Sequence, residues 1–288
     1  MPPLAPMEPI SVTNREVGSG REIASIEIPR MGLGVWMMNG LNECKDAVTN
    51  AISIGYRMID TARSYGNEAE VGEAIRESGI DRSMITIVTK LRRMHATSYQ
   101  STIEHCKISL EKLAIDQIDL YLVHAPPEDP GARETVWRAM EDLLEAGLVR
   151  TIGVSNYGVH HLHDLESYAR ILPCVNQVEL NPWIQRPELH SATREMGAIT
   201  MAYSPLARGQ KANDPEISEI SKKIGCTGAQ AAIRWCLDQG AVVIPKSSDP
   251  SRQRENLDSM GVNIDSIRNE IDMLDSNHVS GWDPTVEP

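Results

Sequence analysis

Apolar residues gather in eight short runs along the chain, each ending in a polar or reactive residue and each followed by a helix-like stretch. The runs are Gly32–Trp36, Tyr56–Asp60, Ile85–Lys90, Ile118–His124, Thr151–Asn156, Val175–Glu179, Ile199–Tyr203 and Ala241–Lys246. Between them apolar residues recur three and four apart: Val71, Ala74 and Ile75, more loosely Ile103, Cys106, Ile108 and Leu110, and then Val136, Met140, Leu143 and Leu144. That spacing is one face of a helix. Gly147 and Gly197 follow such stretches, where a left-handed stop is wanted. Eight strand-then-helix units predict an α/β fold, a closed parallel (β/α)8 TIM barrel. In such a barrel the carboxyl ends of the strands form one face, and the active site sits there. Asp60, Lys90, His124, Ser155, Asn156, Gln177, Tyr203 and Lys246 are therefore expected to converge on one pocket.

The flanks read differently. Residues 1–9 are Pro-rich and read as loose. Ile10, Val12, Ile23, Ile26 and Ile28 alternate with polar residues around Gly18-Ser-Gly20, which predicts a β-hairpin outside the barrel, plugging its bottom. The polar segment 206–217 follows the seventh strand, where βα-loops shape substrate sites. Residues 264–275 predict an extra amphipathic C-terminal helix, and the tail Gly281–Pro288 is irregular. One domain accounts for residues 1–288, with its core at about 10–275.

Composition narrows the function classes. A chain of 288 residues exceeds the roughly 250 of one such barrel. The net charge of −12, without a basic run, argues against nucleic acid or an anionic membrane as partner. Five cysteines without a C-x-x-C pair suit free thiols in a reducing compartment. The N-terminus does not read as a signal peptide and no stretch is long and apolar enough to cross a bilayer, so the expectation is a cytoplasmic protein, a monomer or weak homo-oligomer. There is no Phe, so Met, Ile, Leu and Val must fill its usual core places.

Chemistry is carried by four residues. A buried Lys90 ammonium beside Tyr65 is expected to lower the phenol's pKa. Asp60 would keep that ammonium charged and placed, and His124 would orient a carbonyl oxygen or help move a proton. Together they make a general acid for an oxygen that becomes negative. Singly, a strand-end Asp is more often a cap or ion-pair partner and a loop Tyr is more often packing; convergence on one face is what lifts the joint reading. Other motifs fail. No G-x-G-x-x-G follows a strand, Gly153–Tyr157 lacks the last glycine of a nucleophile elbow, and His160-His-Leu-His163 lacks acidic or Cys partners for a metal.

Several blocks together carry a resemblance: Gly32-Leu-Gly34, Ile59–Glu68, Val88-Thr-Lys90, Asp119–His124, Gly153–Asn156, Asn176-Gln177, Tyr203-Ser-Pro-Leu206 and Ile244–Ser247 followed by Arg252, Glu255 and Asn256. In this order the chain resembles the aldo-keto reductase superfamily from about residue 10 to 275. The resemblance implies NADPH-dependent reduction of an aldehyde or ketone, with a tetrad of Asp60, Tyr65, Lys90 and His124 and Tyr65 as the proton donor. It also implies that Ser155, Asn156 and Gln177 hold the nicotinamide carboxamide and that Tyr203 stacks under the ring. Ser204 and Leu206 would follow the pyrophosphate, with Gly34 and Val35 also at the cofactor. Lys246, Ser247 and Arg252 would meet the 2′-phosphate, and Glu255 and Asn256 the adenine. Two cations and a hydroxyl independently suit a dianionic phosphate. Substrate contacts are expected from Trp36, Trp282 and Arg92, though Arg93 next to Arg92 makes a solvated basic turn an equal reading. Short loops and aromatic walls predict an open mouth that accepts bulky or aromatic carbonyl compounds. Two other readings stand beside this one, a cofactor-binding regulatory subunit and a biosynthetic enzyme that reduces an imine or enone; the four residues together argue against the first.

Overall fold

The computed structural model describes residues 7–288. The Pro-rich start up to residue 6 lies outside the described residues. Strands β1 (Ile10–Arg15) and β2 (Glu22–Ile28) pair antiparallel as a hairpin. Eight further strands follow: β3 (Leu33–Gly34), β4 (Met58–Asp60), β5 (Thr86–Leu91), β6 (Ile118–Val123), β7 (Val149–Ser155), β8 (Val175–Glu179), β9 (Ile199–Tyr203) and β10 (Val242–Ile244). They pair in chain order, all parallel. Parallel bridges of Met31 to Val243 and of Gly34 to Lys246 join the first strand to the last. Gly34 permits that seam, because a Cβ there would lie 3.0 Å from the Ile244 carbonyl oxygen. This is the barrel that the eight apolar runs predict.

Helices alternate with the strands: α1 (Glu43–Ile54), α2 (Glu68–Glu77), α3 (Tyr99–Leu113), α4 (Arg133–Glu145), α5 (Val159–Tyr168), α6 (Pro187–Glu195), then α7 (Pro215–Lys222) and α8 (Gly228–Asp238) between β9 and β10, then α9 (Pro250–Asp258) and α10 (Arg268–Asp272). Gly147 and Gly197 do adopt the left-handed region, at φ 70° and 83°. The C-terminal helix is shorter than the 264–275 its apolar spacing predicts. The Asn263 side chain accepts a hydrogen bond from the Asp265 amide at 2.8 Å, a local turn that competes with the first helical turn. The predicted face is nonetheless right, since Ile264, Ile267, Ile271 and Leu274 are all buried.

The hairpin closes the amino-terminal end of the barrel. Val12, Ile26 and Ile28 pack in one apolar cluster with Met58, Val175 and Val242, the first residues of three barrel strands. Asn14 fixes the docking. It is fully buried, donates to the Ile152 and Leu172 carbonyls at 2.8 Å each, and accepts from the Ile152 amide at 3.0 Å. With that end plugged, the carboxyl ends of the strands are left to form the open face.

Candidate active site

On that face the strand ends deliver their polar residues to one cavity of about 1180 Å³. Asp60 ends β4, His124 follows β6, Ser155 ends β7 and Gln177 lies in β8, all lining the cavity, whereas Lys90, in β5, is wholly buried and not part of the lining. Tyr65 comes from the turn Arg63–Tyr65 after β4. Asn67 holds that turn, accepting from the Thr61 hydroxyl at 2.8 Å and donating to the Val35 carbonyl at 2.9 Å.

Lys90 is the hub. Its ammonium is wholly buried and donates to Asp60 Oδ1 at 2.7 Å, to the Thr61 carbonyl at 2.8 Å and to the Tyr65 hydroxyl at 3.4 Å. These three bonds use all the hydrogens an ammonium carries. Gln177 Nε2 donates to the other Asp60 oxygen at 2.8 Å. Burial pushes the Asp60 carboxyl up and the Lys90 ammonium down, each opposed by the charge of the other. The Tyr65 oxygen accepts from Lys90, and its own O–H donates to no described residue, so that proton is free for a ligand in the cavity.

The sequence-based expectation of a lowered Tyr65 pKa is not met. Burial, and then the Asp60 charge, hold the phenol well above its ordinary value. The reason is geometric: the cation that should lower it is paired at 2.7 Å with an anion, so its field at the phenol is largely cancelled and desolvation wins. Tyr65 is therefore fully protonated at neutral pH. His124 is the opposite case, pushed down to about 3 by burial and then by the charges of Lys90 and Arg92. It is a neutral imidazole at any ordinary pH, set edge-on to Tyr65 with ring centroids 5.7 Å apart. Ser64 Oγ lies 3.3 Å from His124 Nδ1. Sequence reasoning missed Ser64, although it adjoins Tyr65 in the same block.

Burial of a neutral His124 has a consequence for stability. An unfolded imidazole titrates near 6.5, whereas the folded one holds out to about 3. Between those values the unfolded state binds more protons, so stability falls as pH falls, by about 1.4 kcal/mol per unit. Urea unfolding at pH 6.5 and pH 5 should show wild type losing about 2 kcal/mol more than His124→Gln. Equal losses would contradict a desolvated His124.

The remaining candidates fall into three groups. Ser155, Asn156 and Tyr203 form a chain: Ser155 Oγ donates to the Gln177 carbonyl at 2.8 Å, Asn156 Nδ2 to the His124 carbonyl at 2.8 Å and Tyr203 OH to Asn156 Oδ1 at 2.8 Å. Gln177 Oε1, by contrast, accepts no hydrogen bond from any described residue. Ser204 and Leu206 line the cavity in a turn where Ser204, Ala207 and Arg208 all have positive φ (50°, 47° and 53°). At the far end Lys246, Ser247, Arg252, Glu255 and Asn256 line the same cavity. No acid among the described residues lies within ion-pair distance of Lys246 or Arg252. Glu43 is a neighbour that the sequence did not flag; its carboxyl is lowered by the Gly40 amide first, then by Ser248 and the Lys246 charge.

Gly34, Trp36 and Trp282 also line the cavity. Val35 and Arg92 do not. Val35 is buried with its amide on the Asp60 carbonyl at 3.0 Å, so it ties two strand ends together. Arg92 is exposed and does not line the cavity, although its charge reaches His124. The cation at the mouth is instead Arg208, whose guanidinium lies 4.7 Å over the Trp36 ring. Among the described residues no group of three or more His, Cys, Asp or Glu side chains is placed to hold a metal ion, and His160 Nε2 lies 2.7 Å from the Glu287 carbonyl oxygen.

Comparison with known proteins agrees with this geometry. Residues 30–276 match the Aldo/keto reductase family. The chain is 39% identical over 261 residues to the methylglyoxal reductase of Escherichia coli, covering 89% of this chain and 93% of that one. It is likewise 39% identical over 260 residues to the glyoxal reductase of Bacillus subtilis, covering 90% and 93%. Among solved structures it is similar to the Bombyx mori aldo-keto reductase in complex with NADP, with a TM-score of 0.82, 29% identity, and coverage of 95% and 96%.

Proposed function

The chain belongs to the aldo/keto reductase family, and from that premise we propose that it reduces aldehydes or ketones to alcohols with NADPH, using Tyr65 as the general acid. The observation that carries this reading is the protonated Tyr65 hydroxyl, held by Lys90 at the cavity floor with its own proton unused. The cavity is larger than the roughly 300–1,000 Å³ of a usual small-ligand pocket, which suits a dinucleotide with a substrate beside it. The unpartnered Gln177 Oε1 suits an amide N–H, and the unpaired Lys246 and Arg252 suit a phosphate. When bound, the nicotinamide would supply the hydride for the carbonyl carbon.

The chain's own residues do the rest. Tyr65 donates a hydrogen bond to the carbonyl oxygen and passes its proton as that oxygen becomes negative. Lys90, already bonded to the Tyr65 oxygen, keeps a charge-assisted hydrogen bond on the phenolate left behind. Asp60 and Gln177 hold Lys90 in that position. His124 stays neutral, so it orients the carbonyl oxygen without competing as the acid. Trp36 and Trp282 offer apolar walls to the body of the substrate, and with Arg92 off the wall no carboxylate preference is expected from that residue.

A panel of methylglyoxal, aliphatic aldehydes, aromatic aldehydes and ketones, followed by loss of NADPH absorbance, tests the reading. Turnover of several of these supports it; no turnover of any contradicts it. Cofactor choice is a separate test. Arg252→Ala should weaken NADPH binding about tenfold or more through loss of a charge-assisted contact, and leave NADH binding nearly unchanged. Equal weakening of both, measured by fluorescence titration, would make Arg252 structural.

A further inference from the structure

The tail Gly281–Pro288 runs against the barrel mouth and is held by three arginines and a histidine: Arg133 donates to the Pro288 carbonyl, His160 Nε2 lies 2.7 Å from the Glu287 carbonyl oxygen, and Arg186 and Arg93 hold the rest in different ways. Arg186 takes the middle: its guanidinium pairs with Asp283 at 2.9 Å and donates to the Thr285 hydroxyl at 2.7 Å. Gly158 lets the tail lie close, since a Cβ there would stand 2.0 Å from the Thr285 carbonyl oxygen. Arg93 takes the two ends. It pairs with Glu287 Oε2 at 2.7 Å, lies 5.0 Å over the Trp282 ring and is itself anchored by a bond from Nε to the Pro126 carbonyl at 2.8 Å. Trp282 Nε1 donates to the other Glu287 oxygen at 2.6 Å, which closes a ring of three side chains. The indole so held is half exposed and lines the cavity.

We propose that Arg93 is a positioning residue that holds Trp282 as a wall of the mouth and thereby favours flat aromatic carbonyl substrates over small ones; this rests on the carbonyl-reductase reading above. The two basic residues after Lys90 thus differ in kind. Arg92 is exposed and does not line the cavity, while Arg93 acts on the mouth through an indole nearly two hundred positions later in the chain. Arg186, His160 and Arg133 fasten residues 283–288 but none of them stacks on the Trp282 ring, so losing Arg93 should loosen the indole, left with its Nε1 bond to Glu287, while the tail backbone stays fastened.

The test is a cycle over wild type, Arg93→Ala, Trp282→Ala and the double variant. It measures the ratio of kcat/KM for benzaldehyde to that for methylglyoxal. Arg93→Ala should lower the ratio about two- to fivefold, chiefly through KM for benzaldehyde, as expected for loss of a partly exposed cation–π contact. Trp282→Ala should lower it at least as far, and adding Arg93→Ala to it should change nothing more. Arg93→Lys keeps a charge for Glu287 but loses the flat stack, so it should fall between. Equal loss for both substrates in Arg93→Ala, or a further fall in the double variant, would overturn the proposal. If wild type turns over neither aldehyde, the reductase reading fails instead, and exchange of the Trp282 indole N–H decides the fastening: faster exchange in Arg93→Ala supports it, unchanged exchange overturns it.

Discussion

Tyr65→Phe is expected to lower kcat/KM by roughly 10²–10⁴-fold, the contribution of a positioned proton donor. The substitution removes one oxygen and leaves the ring that packs edge-on to His124. No neighbour can take over the proton. His124 is neutral down to about 3 and the Lys90 hydrogens are committed to Asp60, Thr61 and Tyr65. Cofactor affinity should hold, because the residues proposed for the carboxamide and the phosphate lie elsewhere in the cavity. Stability should change by no more than about 1 kcal/mol, since one hydrogen bond of 3.4 Å is lost along with a hydroxyl that was costly to bury. Single-turnover kinetics with bound NADPH would read the chemical step directly. A near-normal rate would refute Tyr65 as the acid.

Lys90→Met is expected to cost both stability and rate. It strips Asp60, which is 2% exposed, of its cation and leaves an uncompensated charge. Breaking one side of a buried pair costs about 3–5 kcal/mol. Protonation of Asp60, already favoured by burial, will soften that loss at lower pH. The rate should fall toward that of Tyr65→Phe but no further, because Lys90 acts on the reaction through the Tyr65 oxygen, which loses its hydrogen-bond donor. Lys90→Met combined with Asp60→Asn separates the two effects. Replacing a buried pair by neutral groups is often close to neutral for folding, so this double variant should regain most of the stability and none of the rate. Recovery of the rate in the double variant would reduce the pair to a structural role.

The barrel was legible because its closed sheet buries both faces of each strand, so every strand is a short apolar run that ends where the chain meets solvent and ligand. The reactive residues stand at or near those ends, and for this reason the sequence alone leads one to expect Asp60, Lys90, His124 and Gln177 together. What was not legible depended on partners remote in sequence. A Lys next to a Tyr suggested a lowered phenol pKa, but the pairing of Lys90 with Asp60 cancels that field, and only the 2.7 Å contact reveals it. Arg92 and Arg93 are indistinguishable in the sequence; one is solvated and the other is claimed by Glu287 and Trp282. Arg208 went unnoticed because a polar loop gives no periodicity, and its positive φ of 53° is set by the turn it sits in. Apolar spacing predicts too long a C-terminal helix because it is blind to the Asn263 turn.

Hydride transfer to a carbonyl carbon can be followed as an isotope. The protein should be incubated with benzaldehyde and NADPH deuterated at the transferable position of nicotinamide C4, and the alcohol examined by mass spectrometry and NMR. One deuterium on the carbinol carbon, present with wild type and slowed with Tyr65→Phe by the factor given above, is the expected result. An alcohol without deuterium, or oxidation of the cofactor without any alcohol formed, would contradict carbonyl reduction as the activity of this cavity.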